Sequence, residues 1–255
     1  MSNQSSVADI ELVKFGYEPK LSRSLTTWQL TAFGLTYLQP IGPAVIFGFL
    51  LSTSGGSVAL PYTLAFVGMF FTILSYSALI KEYPLSGSIY NYVKYVISPF
   101  WGFIAGWLLA LDYILIPTIT SVSAAIYAHQ LVPAVSYEIW LLMFVGSMGA
   151  LNLVGIKSTS YINSAILFIQ IAIVLAGFII WANFLMKAGH GISSLVSAAP
   201  FRFESFSGLL QASSLAIFSF LGFDAVTTMA EESVNPRRDI PRAMMICTCI
   251  GFSIM

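Results

Sequence analysis

The sequence predicts an all-α membrane protein, and three observations carry that reading. Of the 255 residues, 57% are hydrophobic and 9% charged, where a soluble domain carries about a quarter charged. Asp, Glu, Lys and Arg are absent from the stretches 24–80, 95–111, 113–137, 139–156 and 158–186. Most of the basic residues that remain fall in a few short segments, 14–23, 81–94 and 237–242. Such a composition excludes a soluble globular enzyme and a disordered chain. With 11 Lys+Arg against 11 Asp+Glu, no basic surface is left for nucleic acid.

A crossing helix needs about 20 mainly apolar residues. The stretch 24–80 is long enough for two, divided where Ser52-Thr53-Ser54-Gly55-Gly56-Ser57 and Pro61 supply turn chemistry. The first two spans therefore lie near 28–51 and 61–80. Others follow near 99–131, 138–155, 159–185 and 208–232, and a last one opens at Pro241. That last span is only begun when the chain stops, after the apolar stretch 246–255, so the sequence reads as C-terminally incomplete. The first 23 residues are polar and the apolar region behind them is too long for a signal core. They read as a cytoplasmic tail, 1–23, ahead of a transmembrane domain, 24–255.

The basic residues set the orientation. With the N-terminus inside, Lys14, Lys20, Arg23, Lys81, Lys94, Lys157, Arg237, Arg238 and Arg242 are cytoplasmic, and of the 11 only Lys187 and Arg202 lie outside. Trp28, Trp101, Trp140 and Trp181 fall near span ends as interfacial anchors. Trp107 sits deeper and reads as packing.

Two spans are interrupted. In the first, Tyr37-Leu38-Gln39-Pro40-Ile41-Gly42-Pro43 places two prolines and a glycine near mid-membrane. Each proline removes a backbone donor and clashes with the preceding turn. The alternatives are a simple kink or an unwound segment lining a polar cavity. In the sixth span, Ser219-Phe220-Leu221-Gly222-Phe223-Asp224 sets a flexible residue and a carboxylate in an apolar helix. Interruptions in spans one and six are the spacing that two inverted repeats of five helices produce, with the broken helices meeting at a midplane site.

Two carboxylates stand at membrane depth, Asp112 in the third span and Asp224 at the break of the sixth. An acidic residue at a helix centre costs about 2.5–3.5 kcal/mol to insert and commonly faces a cavity, where it acts on ions, protons or substrates. The alternative is that each accepts backbone N–H groups, Asp224 by capping a half-helix. Other features carry less. Cys247 and Cys249 are two apart on a helix and point to different faces. His129 and His190 belong near the outer interface. Gly102 and Gly106 fit the small-residue pattern for close helix packing. No phosphate loop, metal-ligand cluster or nucleophile–base pair is visible, so neither catalytic residues nor a cofactor are expected.

The stretch Phe220-Leu221-Gly222-Phe223-Asp224, followed by Glu231-Glu232 and by Asn235-Pro236-Arg237-Arg238-Asp239-Ile240-Pro241, resembles the sixth-helix and loop signature of the amino acid–polyamine–organocation (APC) transporters. Pro84-Leu85-Ser86-Gly87-Ser88-Ile89-Tyr90-Asn91-Tyr92 is similar to the family's loop after helix 2. The resemblance runs from about Leu21 to the end. It implies a LeuT-like fold of 5+5 inverted helices, present here through helix 6 and the first part of helix 7. In that fold the unwound segments of helices 1 and 6, here 38–43 and 220–224, clasp the substrate.

In that family helix 1 commonly carries a glycine-rich segment whose N–H groups hold an amino acid carboxylate. Here prolines stand where donors are useful, leaving Ile41 and Gly42 as local N–H sources. With Leu111-Asp112-Tyr113 in helix 3, the sequence looks more like the bacterial putrescine importer branch. A diamine has two ammonium groups and no carboxylate, which suits two acidic residues. Tyr37, Tyr113, Phe220 and Phe223 offer faces for methylenes and cations. The expected substrate-binding set is Tyr37, Gln39, Pro40, Ile41, Gly42, Asp112, Tyr113, Phe220, Gly222, Phe223 and Asp224. The expected function is import of putrescine or a related organic cation across a bacterial inner membrane, coupled to a proton, by alternating access. An amino acid permease of the same fold, and a fragment that does not transport, remain as alternatives.

Overall fold

The computed structural model describes residues 13–16, 21–154, 156–187, 201 and 205–255. Those residues are helical almost throughout, with one isolated parallel bridge between Leu25 and Ser233. The helices are α1 (Thr27–Leu38), α2 (Gly42–Thr53), α3 (Ala59–Glu82), α4 (Ser88–Val96), α5 (Pro99–Leu131), α6 (Tyr137–Val154) and α7 (Ile156–Lys187). After them come α8 (Phe206–Ala216), a 3-10 turn (Ile217–Phe220), α9 (Ala225–Thr228) and α10 (Pro236–Ile254). By length and composition, four helical segments among the described residues can cross a membrane: Ala59–Glu82, Pro99–Leu131, Ala165–Phe184 and Phe206–Thr228. A fifth crossing is the bent pair α1 and α2. Tyr137–Leu151 is apolar but shorter.

The chain divides into two compact units, 1–88 with 166–255, and 89–165. In the first, α10 packs along α1 and α3, and α8 packs on α3 and α2. Its core is aliphatic and aromatic, with Leu30, Ile73, Ile80, Phe220, Val226 and Met244 fully buried. Gly34 marks a close approach of α1 to its neighbours: a Cβ there would stand 2.7 Å from Val226 Cγ2 and 2.9 Å from Cys247 Sγ.

Local chemistry explains the helix ends. Gln29 Oε1 accepts the Thr26 N–H at 2.9 Å, which satisfies one donor that the first turn of α1 leaves over. The last helix opens at Pro236 rather than at Pro241, the start that the sequence predicts. Pro236 occupies the first turn, where no N–H is needed, and Asp239 Oδ2 takes the Asn235 N–H at 3.2 Å. Pro241 is then carried inside the helix.

A short strap ties the start of α1 to the segment before α10. The N–H groups of Ser24 and Leu25 both donate to the Glu232 carbonyl at 2.9 Å, and the Val234 N–H donates to the Leu25 carbonyl at 3.1 Å. Arg23 Nη1 reaches the carbonyls of Ala230 (3.2 Å) and Ser233 (3.1 Å). Thr27 Oγ1 donates to Asp239 Oδ1 at 2.8 Å, so this buried carboxylate serves two helices at once.

In the second unit α5 packs on α6. The glycine pair behaves as the sequence predicts: a Cβ at Gly102 would meet Lys94 Cβ at 2.7 Å, and one at Gly106 would meet Tyr90 Cδ2 at 2.8 Å. Trp107 differs from the packing role expected of it: it is 60% exposed on α5 among the described residues. His129 Nδ1 lies 2.8 Å from the Val135 carbonyl. Lys20, His190 and Arg202 lie outside the described residues. Cys247 is buried and Cys249 exposed, on different faces of α10.

Candidate substrate site

Both predicted interruptions are present, in the first unit, and they touch. The first lies between α1 and α2, whose axes differ by 45°. Gln39 ends α1 in the left-handed conformation (φ 48°, ψ 80°), and Pro40 follows without an N–H to return to Thr36. Helix resumes at Gly42 with Pro43 in its first turn.

The N-terminal turn of α2 has little to offer an anion. The Gly42 N–H is spent on the Gln39 carbonyl (2.7 Å) and the Ala44 N–H on the Ile41 carbonyl (3.0 Å), while Pro43 has none. Of the two N–H sources that the sequence leaves in this segment, Gly42 is therefore already used.

The second interruption is longer. The α8 helix tightens into the 3-10 turn Ile217–Phe220, and residues 221–224 form a turn before α9. Gly222 supplies φ +108°, and a Cβ on it would stand 2.9 Å from the Tyr37 carbonyl carbon and oxygen. Only glycine admits both the dihedral and the approach. This contact brings the end of α1 against the break of the sixth span.

Helix α3 holds that break from the side. Tyr62, 2% exposed, shares a hydrogen bond of 3.1 Å with Ser219. The Phe66 ring lies 6.2 Å from that of Phe220, and Tyr76 meets Phe223 edge-on at 5.5 Å. Asp224 precedes α9 but its side chain caps nothing there, against the capping alternative. Its Oδ2 instead accepts the Ser88 hydroxyl at 3.1 Å, and Ser88 also hydrogen-bonds the Tyr76 phenol.

The predicted residues thus fall into distinct environments. Phe220 and Phe223 are buried and their rings are spent on Phe66 and Tyr76. Tyr37 is 43% exposed and leans on Phe33 at 4.7 Å. Gln39 is exposed, Pro40 buried, and Ile41, Gly42, Gly222 and Asp224 half-buried. Asp112 and Tyr113 belong to the second unit, both exposed on α5. Sequence reasoning missed Tyr62, Tyr76, Ser88 and Ser219. Two signals were available: Ser219 at the head of the motif 219–224, and Ser88 inside the loop motif 84–92, where it follows a glycine.

Residues 30–253, most of the chain, match the family described as Amino acid permease. The chain belongs to the amino acid permease family. The chain is 33% identical to the low-affinity putrescine importer PlaP of Escherichia coli, over 91% of its own length and 52% of the importer's. It is 27% identical to the branched-chain amino acid permease BcaP of Bacillus subtilis, over 98% of its length and 57% of that relative's. To cationic amino acid transporter 1 of Arabidopsis thaliana it is 26% identical, over 94% and 42%. The chain spans about half the length of the curated relatives it matches. The family is one of integral membrane transporters, and the chain shares its LeuT-like, APC-superfamily fold, with broken helices at spans one and six.

Proposed function

We propose that this permease imports putrescine or a related organic cation, with the two broken helices as the substrate site. The observation that carries the reading is the N-terminal turn of α2. An amino acid needs donors for its carboxylate, and Gly42 and Ala44 spend theirs within the turn while Pro43 has none. What the break offers a ligand is the carbonyl end of α1, the negative end of that helix dipole. An ammonium group suits that end, and Asp224 beside it supplies a full negative charge. The likeness to a putrescine importer supports the same substrate class.

In this reading the chain is the permease domain from residue 24, behind a cytoplasmic tail, in a bacterial inner membrane. The orientation rests on the basic residues. Transport proceeds by alternating access and takes a proton with it. Asp224 holds one ammonium group, and Asp112 is a second cation contact or carries the coupling proton. Tyr37, in the same unit as Asp224, offers an aromatic face to the methylenes.

The test is uptake of labelled putrescine by cells carrying the chain in its complete reading frame. Competition by cadaverine and spermidine, and none by neutral amino acids, is the expected result. The reverse pattern makes it an amino acid permease, the reading that the likeness to a branched-chain permease favours. Asp112→Asn should lower uptake or shift its pH dependence, and unchanged uptake removes Asp112 from the site.

A further inference from the structure

The helix α10 has two unlike faces. Ile240, Ala243, Met244, Cys247 and Gly251 are buried on the side that packs along α1 and α3. The outward stripe begins with Arg238 and Arg242, both exposed, and continues through the half-buried Met245 and Ile246 to the exposed Cys249 and Ile250. Four residues apart, the two arginines stand one above the other, about 6 Å along the helix axis. Neither guanidinium has a hydrogen bond or ion pair among the described residues. The acidic residue of the same turn does not answer them: Asp239 is buried and accepts the Thr27 hydroxyl at 2.8 Å and the Asn235 N–H at 3.2 Å. Two cations in the first two turns of a helix also face the positive end of its dipole and repel each other. Such a pair is electrostatically unfavourable until an anion stands against it.

We propose that this stripe binds an anionic phospholipid of the cytoplasmic leaflet, its phosphodiester held by Arg238 and Arg242 and one acyl chain laid along Met245, Ile246, Cys249 and Ile250. Residues 243–255 carry no charge, so the arginines are followed by about 12 Å of uncharged stripe as far as Ile250. Two cations and then an apolar run is the order of a phospholipid from headgroup to tail. Guanidinium groups present paired donors that match phosphate oxygens. A free phosphate answers the arginines alone, and an acidic protein segment has no use for the apolar continuation. Trp28 is 71% exposed and follows the Thr27 that touches Asp239, which sets an indole at this end of the molecule, as at the level where headgroups begin. The orientation proposed above serves only to name the leaflet. Lipid binding by the stripe depends neither on it nor on the transported substrate, so the two readings fail separately.

The test uses the complete reading frame, purified in a neutral detergent. Its melting temperature is followed as dioleoylphosphatidylglycerol, dioleoylphosphatidylcholine or inorganic phosphate is added. Wild type is compared with Arg238→Gln/Arg242→Gln and with Lys14→Gln/Lys81→Gln, which removes the same charge from two other exposed sites. Phosphatidylglycerol should raise the wild-type melting temperature, phosphatidylcholine much less, and phosphate not at all. The arginine variant should need about tenfold more phosphatidylglycerol for the same rise, the scale of one hydrogen bond between charged groups, and the lysine variant the wild-type amount. If the double arginine variant does not fold, Arg242→Gln alone is read by the same criterion. An unchanged requirement in the arginine variant overturns the proposal. So does an equal loss in the lysine variant, which marks general surface charge. An equal rise with phosphatidylcholine, or a rise with phosphate, overturns it too, as the mark of an unselective lipid annulus or a free-anion site. A lower melting temperature in the arginine variant before any lipid is added, with an unchanged lipid requirement, means that the guanidinium groups pair with another part of the chain and is equally fatal.

Discussion

The two breaks reach a similar outcome by different means. Between α1 and α2 the interruption is written into the covalent chain: Gln39 turns left-handed, and the prolines at 40 and 43 remove donors. Between α8 and α9 the chain has glycine and no proline, and much of the geometry is imposed from outside. Tyr62 holds Ser219 above the turn, while Tyr76 and Ser88 hold Phe223 and Asp224 below it. The lesson is one of dependence. The first break is a local property of its sequence, whereas the second requires α3 and α1 to be in place. Proline alone does not make a break, since α5 runs through Pro117 uninterrupted; at the first break a second proline and a left-handed residue are added.

The largest effect should come where the two breaks meet. Gly222→Ala introduces a Cβ at φ +108° and sets it 2.9 Å from backbone atoms of Tyr37, which no side-chain rotation relieves. Strain and overpacking together amount to about 3 kcal/mol or more. Little folded protein should reach the membrane, and what does should unfold at a clearly lower temperature in detergent. Wild-type yield and melting would mean that the helix-6 turn is free to shift away from α1.

Gly34→Ala tests the packing next to the breaks. The new methyl meets side-chain atoms, Val226 Cγ2 at 2.7 Å and Cys247 Sγ at 2.9 Å, which give more easily than backbone. A loss of about 1–3 kcal/mol follows. Adding Val226→Ala should return part of it, a non-additivity visible in the melting temperatures of the single and double variants. If the double variant is worse than the sum, the contact at Gly34 is not what limits α1.

What could be read from the sequence follows the same division. Pro40 and Pro43 announce the first break because proline acts through its own bonds. Gly222 and Asp224 announce the second, but not what holds it. Ser88 and Asp224 are 136 positions apart and Tyr62 and Ser219 are 157 apart, and neither separation leaves a periodic trace in the chain. The start of α10 lies at Pro236 and not at Pro241 for a related reason. Two prolines five apart each suit a first turn, and the choice of Pro236 is made by Asp239, whose carboxylate also takes Thr27 from α1. Trp107 is exposed where depth in the span suggests packing, because depth does not say which face of the helix a residue occupies.

Tyr62→Phe probes the external support of the second break with a single oxygen. The hydroxyl and Ser219 are both buried, so the loss is about 1 kcal/mol, read as a modest fall in melting temperature. Hydrogen exchange should rise over residues 217–224 and not over 36–44. Equal loosening of both segments would mean that the breaks act as one unit and that the contrast between them is false.

The smallest effect should have the opposite sign. Gln39 occupies φ 48° with its side chain exposed, so Gln39→Gly removes a conformational penalty without opening a cavity. Glycine's freedom in the unfolded chain offsets part of that relief. A net gain of up to about 1 kcal/mol is expected, seen as an unchanged or slightly raised melting temperature. Because the two prolines remain, α1 and α2 should keep their bend. Putrescine KM supplies the second readout: a rise with stability intact assigns the Gln39 amide to the substrate, and an unchanged KM leaves it as the turn residue alone. A clear loss of stability would show that this break, like the other, leans on contacts beyond its own chain.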